Sequence, residues 1–127
     1  MDNKAYIFEL HDEHTQWLND LKFYKDQLKK FEERLAHISA KNPDKEVKIQ
    51  VEKFQNRFLI QRNEIDYFRH DIKQQENELE LEEQTAPIVS VERTLEEEEA
   101  LKERREIFVS LFEEMKKEFN VFVEEHL

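Results

Sequence analysis

Apolar side chains recur along this chain at alternating steps of three and four residues, in three separate series. The first series covers residues 7–38, the second 47–79 and the third 91–126. A seven-residue repeat sustained over about four heptads is typical of helices in coiled-coil-like packing. The pattern therefore predicts three long amphipathic helices, each with one apolar stripe, which we call its seam.

Two short segments interrupt the heptads. In the first, we expect Asn42 to cap the second helix and Pro43 to occupy its first helical position. In the second, around Pro87, Ser90 is the expected cap of the third helix, and Thr94 is an alternative start. The helices predicted in this way span about residues 3–40, 43–84 and 90–126.

Short connections make neighbouring helices run antiparallel. The predicted fold is therefore all-α: a single domain over residues 1–127, built as an elongated up-down-up three-helix bundle. A domain-swapped dimer, in which the second and third helices rearrange around Pro87, is an open alternative.

The antiparallel arrangement predicts which seam residues meet. In the first hairpin, paired residue numbers sum to about 85, which places Phe31 against Phe54 in an aromatic half of the bundle. Folding the second hairpin about residue 87 brings Phe54 to Phe119 in the same half. The same reasoning places the polar residues that interrupt the apolar seams close together, near the second turn. This predicted polar core layer comprises His14, Gln75, Glu98 and Arg105, beside Trp17.

Two interpretations of this layer differ in function. A polar layer in a heptad seam commonly fixes the register of the helices, with Arg105 stacked on Trp17 or Phe68. The alternative is a metal-binding helical bundle that uses His14 and Glu98 with neighbouring carboxylates. We favour the structural interpretation and predict no native metal or other cofactor.

Composition supports an ordered helical protein. Charged residues make up 40% of the chain, which alone would suggest disorder, but the chain also has ten Phe, no Gly and only two Pro. The net charge of −11 disfavours nucleic acid and anionic membranes as partners. Without Cys, thiolate chemistry is excluded, and without Gly no phosphate-binding loop is expected. We therefore predict that the protein is not an enzyme.

The first residues lack the basic start and apolar run of a signal peptide, and no apolar stretch approaches the roughly 20 residues of a membrane span. We expect a soluble, cytoplasmic protein. Acidic residues over 76–83 and 96–99 are expected to make the second-turn end of the bundle strongly negative.

Several apolar residues lie outside the seams, at outer positions where monomers usually carry charge. A cluster of such residues indicates an interface. The predicted interaction surface comprises Phe23, Ile60, Tyr67, Ile107 and Val121. The flanking residue Leu111 is instead expected to widen the core. The expected partners are a second copy of the chain, as a two-fold homodimer, and an unidentified protein.

The placement of Trp17 and Leu18 in a first helix, followed by two more long heptad helices, resembles a spectrin-type repeat. The resemblance implies a triple-helical fold. The helices are longer than those of that module and only one repeat is present, so no function is carried over. The sequence favours a non-catalytic helical protein-interaction module, of the scaffold, adaptor or chaperone-like kind.

Overall fold

A computed structural model consists of three helices: α1 (Asn3–Lys41), α2 (Lys45–Thr85) and α3 (Val91–His126). The structure describes the backbone of residues 3–85 and 91–127, and the side chains of residues 6–81 and 95–127. The helices contain 39, 41 and 36 residues, so each is roughly 55 to 60 Å long. The predicted all-α three-helix bundle is confirmed.

The first turn differs in detail from the prediction. Asn42 directly follows α1 and closes its last turn, because its backbone N–H donates to the Ile38 carbonyl at 3.1 Å. The cap of α2 is Asp44, whose Oδ1 accepts from the backbone N–H of Glu46 at 3.1 Å. An N-cap side chain must reach the free N–H groups of the first turn, and Asp44 immediately precedes that turn.

Pro43 lies between the two helices and is not the first residue of α2, which begins at Lys45. The predicted cap of the third helix, Ser90, falls outside the described residues. Since α3 already begins at Val91, the alternative start at Thr94 is wrong.

Contacts between side chains give the directions of the helices. Ser39 and Lys48 are hydrogen-bonded at 3.0 Å beside the first turn, and Lys25 pairs with Asp66 at 3.0 Å farther along. Residue numbers therefore fall along α1 as they rise along α2, which makes these two helices antiparallel.

The first and third helices run parallel. The rings of Tyr24 and Phe108 lie 5.4 Å apart between centroids, and those of Phe31 and Phe119 lie 5.3 Å apart. Residue numbers thus rise together along α1 and α3. This is the up-down-up arrangement that short connections predict.

The half of the bundle near the first turn contains an aromatic core. Phe119 is fully buried, and its ring centroid lies 5.3 Å from that of Phe54, as predicted, and 5.1 Å from that of Phe58. Burial of one such side chain contributes about 1.5 to 3 kcal/mol. Phe31 packs mainly against Phe58 and Phe119, because its ring lies between the two partner helices.

None of the described helices carries a stretch long and apolar enough to cross a membrane.

Candidate functional site

The most unusual group in the core is His14, whose side chain is completely buried. The heptad of α1 explains its position, because Leu10 and Trp17 are the preceding and following seam residues and are also buried. The His14 and Trp17 rings lie 5.5 Å apart between centroids. The sequence pattern of α1 therefore places an ionisable ring among apolar side chains.

Two carboxylates from different helices bind the two nitrogens of His14. Nδ1 contacts Oε1 of Glu76 on α2. Nε2 lies 2.5 Å from Oε1 of Glu98 on α3, and Glu98 is itself buried. Hydrogen bonds of this ring thus connect all three helices at one level.

A second histidine shares one of these carboxylates. His11 Nδ1 lies 2.5 Å from Oε2 of Glu76, so Glu76 contacts His11 through one oxygen and His14 through the other. We call His11, His14, Glu76 and Glu98 the His14 cluster.

Charge determines how His14 is protonated. Burial by itself lowers the pKa of His14, but the hydrogen bonds and charges of Glu98 and Glu76 outweigh burial and raise the pKa above its ordinary value. A neutral imidazole has one N–H and one acceptor nitrogen, whereas the imidazolium donates from both. Because both nitrogens face carboxylate oxygens, the imidazolium satisfies the geometry best.

Glu98 is also shifted towards its protonated form. Burial raises the pKa of Glu98, and the hydrogen bond and charge of His14 oppose this only in part. The neighbouring Glu13 raises the pKa further, since two carboxyl groups can bind each other only when one holds a proton. The buried Tyr6 hydroxyl has its pKa raised by burial and then by Glu98 and Glu13, so acidic groups surround this level.

The remaining predicted members of the polar layer have different environments. Gln75 is buried, as is Trp17. Arg105 is only partly buried, and its Nη2 donates to Asp20 Oδ2 at 2.9 Å. Arg105 borders the same small cavity as Trp17 and Phe68.

The arginine stacked on an aromatic ring is Arg104, whose guanidinium carbon lies 5.0 Å from the centroid of Phe68. Adjacent helical residues point about 100° apart, so only one of two consecutive arginines can cover a given ring. Arg104 occupies that place, and Arg105 turns towards α1.

The metal hypothesis for His14 and Glu98 gains no support from the geometry. Within the described side chains, no group of three or more His, Cys, Asp or Glu residues is arranged to hold a metal ion. The two nitrogens of His14 point in opposite directions, each towards its own carboxylate, so these side chains bind one another and do not converge on a common point.

Sequence reasoning missed two members of the His14 cluster. His11 directly follows the seam residue Leu10 and so lies at the flank of the α1 seam, and Glu76 was predicted only as part of the acidic second-turn end. A signal was present, because the numbers 11 and 76 sum to 87, close to the sum of about 85 that relates α1 to α2. Glu76 also directly follows the seam residue Gln75.

A second candidate site is an open apolar groove of about 360 Å³ between α2 and α3, away from the His14 cluster. Ile60 on α2 and Ile107 on α3 line the groove, and both side chains are more than half exposed. Leu111, which the sequence assigned to a widened core, is 51% exposed and also lines it. We call Ile60, Ile107 and Leu111 the α2–α3 groove residues.

The other residues of the predicted interaction surface are exposed but are not groove lining. Tyr67 lies one heptad after Ile60 on the same side of α2, and Val121 lies two heptads after Ile107 on the same side of α3. Phe23 belongs to α1 and contacts Tyr24, with ring centroids 5.8 Å apart.

Ion pairs between α2 and α3 border the groove. Arg104 pairs with Glu64 at 3.2 Å and with Asp71 at one end, and Arg57 pairs with Glu118 towards the other. Both basic groups beside the groove are thus paired with acids of the same chain.

Comparison with models of known protein families, with curated protein sequences and with solved structures finds no match to this chain.

Proposed function

We propose that this protein is a non-catalytic helical interaction module that associates with a second copy of itself through the α2–α3 groove. The observation that carries the proposal is the exposure of Ile60, Ile107 and Leu111 side by side along one groove. Isolated apolar residues are ordinary on protein surfaces, whereas adjacent ones are a sign of an interface.

The groove has a shape that a helix surface can enter. Two parallel rows of side chains, one on each helix, leave a channel over the buried ring of Phe108. In a two-fold dimer each copy presents the same surface to the other, so Ile60 and Ile107 of both copies would face one another. Each side chain removed from water contributes about 25 cal/mol per Å² of apolar area.

Charge at the groove also favours a second copy. The chain as a whole carries a net charge of −11, which opposes self-association at long range. Near the groove, however, Arg57 and Arg104 are already paired within their own chain. Of the two acids that line the groove, Glu64 is paired with Arg104 and Glu103 is exposed. The apolar lining is therefore what an identical surface would cover.

The His14 cluster supports a non-catalytic role. Both nitrogens of His14 and three of the four carboxylate oxygens of Glu76 and Glu98 are engaged in contacts between helices. Groups used in this way hold the three helices together.

Sedimentation equilibrium over micromolar concentrations tests the proposal. We expect the native protein to be dimeric and both Ile60→Glu and Ile107→Glu to weaken the dimer by at least about tenfold, or about 1.4 kcal/mol. Ile49→Glu is the matched control, because Ile49 is an exposed isoleucine of α2 outside the groove lining, and it should leave the dimer intact. A native protein that is monomeric over this range would overturn the proposal.

A further inference from the structure

The His14 cluster lies at a level where no described apolar side chain of α3 is buried. Among the described side chains of residues 95–107, Glu98 is the only one that is buried. Buried apolar residues of α3 begin at Phe108 and continue to Val123. In the first half of α3 the buried attachment to the core is therefore a carboxylate, supported by the partly buried Leu101 and by partly exposed ion pairs of Arg104 and Arg105. The second half is attached by buried apolar packing.

That carboxylate binds a ring whose charge depends on pH. In Glu98–His14–Glu76 the imidazolium donates to both carboxylates. Once the ring loses a proton, one nitrogen presents a lone pair to a carboxylate oxygen, and the buried negative charges are no longer offset. In a buried environment such an uncompensated arrangement is far more costly than in water.

We propose that the His14 cluster is a proton-dependent attachment that holds the first half of α3 against α1 and α2, and that loss of its proton loosens residues 95–107.

Carboxylates from all three helices lie at this level, and those of Glu98 and Glu76 favour the protonated ring. From α1, His14 is accompanied by His11, Glu13 and the buried hydroxyl of Tyr6. The other two helices contribute Glu76 and Glu98.

A lysine among the described residues lies beside this level, on the surface. Lys102 of α3 lies 3.6 Å from Glu13, and about half of its side chain is exposed. It therefore does not replace the buried charge of His14.

The direction of the pH effect follows from the raised pKa values of His14 and Glu98. The pKa of His14 is raised, so its contribution to stability is complete below its ordinary value of 6.5 and is lost as pH rises through the folded-state value. The pKa of Glu98 is raised as well, so folding also takes up a proton there, and that contribution too declines as pH rises. Both shifts therefore make the attachment weaker as pH rises, that of Glu98 above its ordinary value of 4.5 and that of His14 above 6.5.

Hydrogen–deuterium exchange of the whole chain at about pH 6 and about pH 9, corrected for intrinsic exchange rates, tests this directly. Protection of peptides within 95–107 should fall at least about tenfold more than protection of peptides within 110–123. The variant His70→Gln changes an exposed histidine and should keep this difference. Equal changes in the two halves of α3 would overturn the proposal.

Two further measurements keep the test independent of any folding defect. In the double variant His14→Leu/Glu98→Leu an apolar contact replaces the charged one. The difference in exchange protection between the two halves of α3 should then no longer depend on pH. In the unaltered protein, ¹⁵N chemical shifts of the His14 ring should show both nitrogens protonated at about pH 6. A neutral ring at that pH would contradict the proposal even if the double variant did not fold.

Discussion

His14 Nε2 and Glu98 Oε1 lie 2.5 Å apart, although 84 positions separate the two residues in the sequence. The contact joins the first helix to the third, two helices that share no turn. Because it is buried, its energetic value depends on both partners being present.

Removal of one partner should be costly. Glu98→Leu is expected to lower the free energy of unfolding by about 3 kcal/mol near pH 6, because it leaves the buried imidazolium with one carboxylate. His14→Leu/Glu98→Leu should recover most of that loss, since apolar side chains can replace a buried ion pair at little net cost. Urea denaturation of the single and double variants measures the difference. A double variant less stable than Glu98→Leu would contradict this account.

The aromatic core near the first turn should be the most sensitive region to truncation. Phe119→Ala is expected to destabilise the bundle by about 3 to 5 kcal/mol, because the ring is fully buried among Phe31, Phe54 and Phe58. The matched control is Phe8→Ala, which removes a ring that is 63% exposed and should cost less than about 0.5 kcal/mol. Thermal and urea unfolding followed by circular dichroism measure both.

The cap of α2 can be tested at two neighbouring positions. Asp44→Ala should cost about 1 kcal/mol, because it removes the acceptor for the backbone N–H of Glu46. Asp44→Asn retains a side-chain oxygen and should preserve most of the stability. If Asp44→Ala proved neutral in urea denaturation, the assignment of the cap to Asp44 would be wrong.

The Arg104 ion pairs should be visible in the titration of Asp71. The hydrogen bond from Arg104 lowers the pKa of Asp71 from its ordinary value of 3.8, and burial opposes this only in part. Arg104→Met is expected to raise the pKa of Asp71 towards 3.8, whereas Arg69→Met, a change at an exposed arginine, should not. The Asp71 carboxyl ¹³C shift followed against pH reports the change.

The same pair predicts a small pH dependence of stability. Because the pKa of Asp71 is lowered on folding, its contribution is present above the ordinary pKa and is lost as pH falls through the folded-state value. The pair is partly exposed, so we expect less than about 1 kcal/mol. Arg104→Met should reduce this acid-side loss, as measured by urea denaturation at neutral and acidic pH.

The heptad pattern predicted the features that depend on periodicity alone. It placed His14 and Glu98 in the seams, and both side chains are buried. The pairing of residue numbers also predicted the contact between Phe54 and Phe119. These outcomes follow because an antiparallel bundle with short turns allows only one approximate register.

Residues beside the seams were harder to assign. Glu76 and Leu111 both lie next to a seam, yet Glu76 turns inwards to two histidines while Leu111 remains half exposed in a groove. A rotation of a helix by a few tens of degrees about its axis can bury one residue beside the seam and expose another. Periodicity does not specify that rotation so finely. The cap at Asp44 was missed for a similar reason, since helix ends shift by one or two residues.

The sequence by itself determined the number of helices, the positions of the turns and which residues form the seams, because each of these follows from local periodicity and from helix-breaking residues. Only the tertiary structure decided that Glu76 completes the contact between His14 and Glu98, and that Ile60, Ile107 and Leu111 share one groove. Those relationships depend on how far each helix is rotated when the three apolar stripes pack together, and packing settles that rotation for all three helices at once.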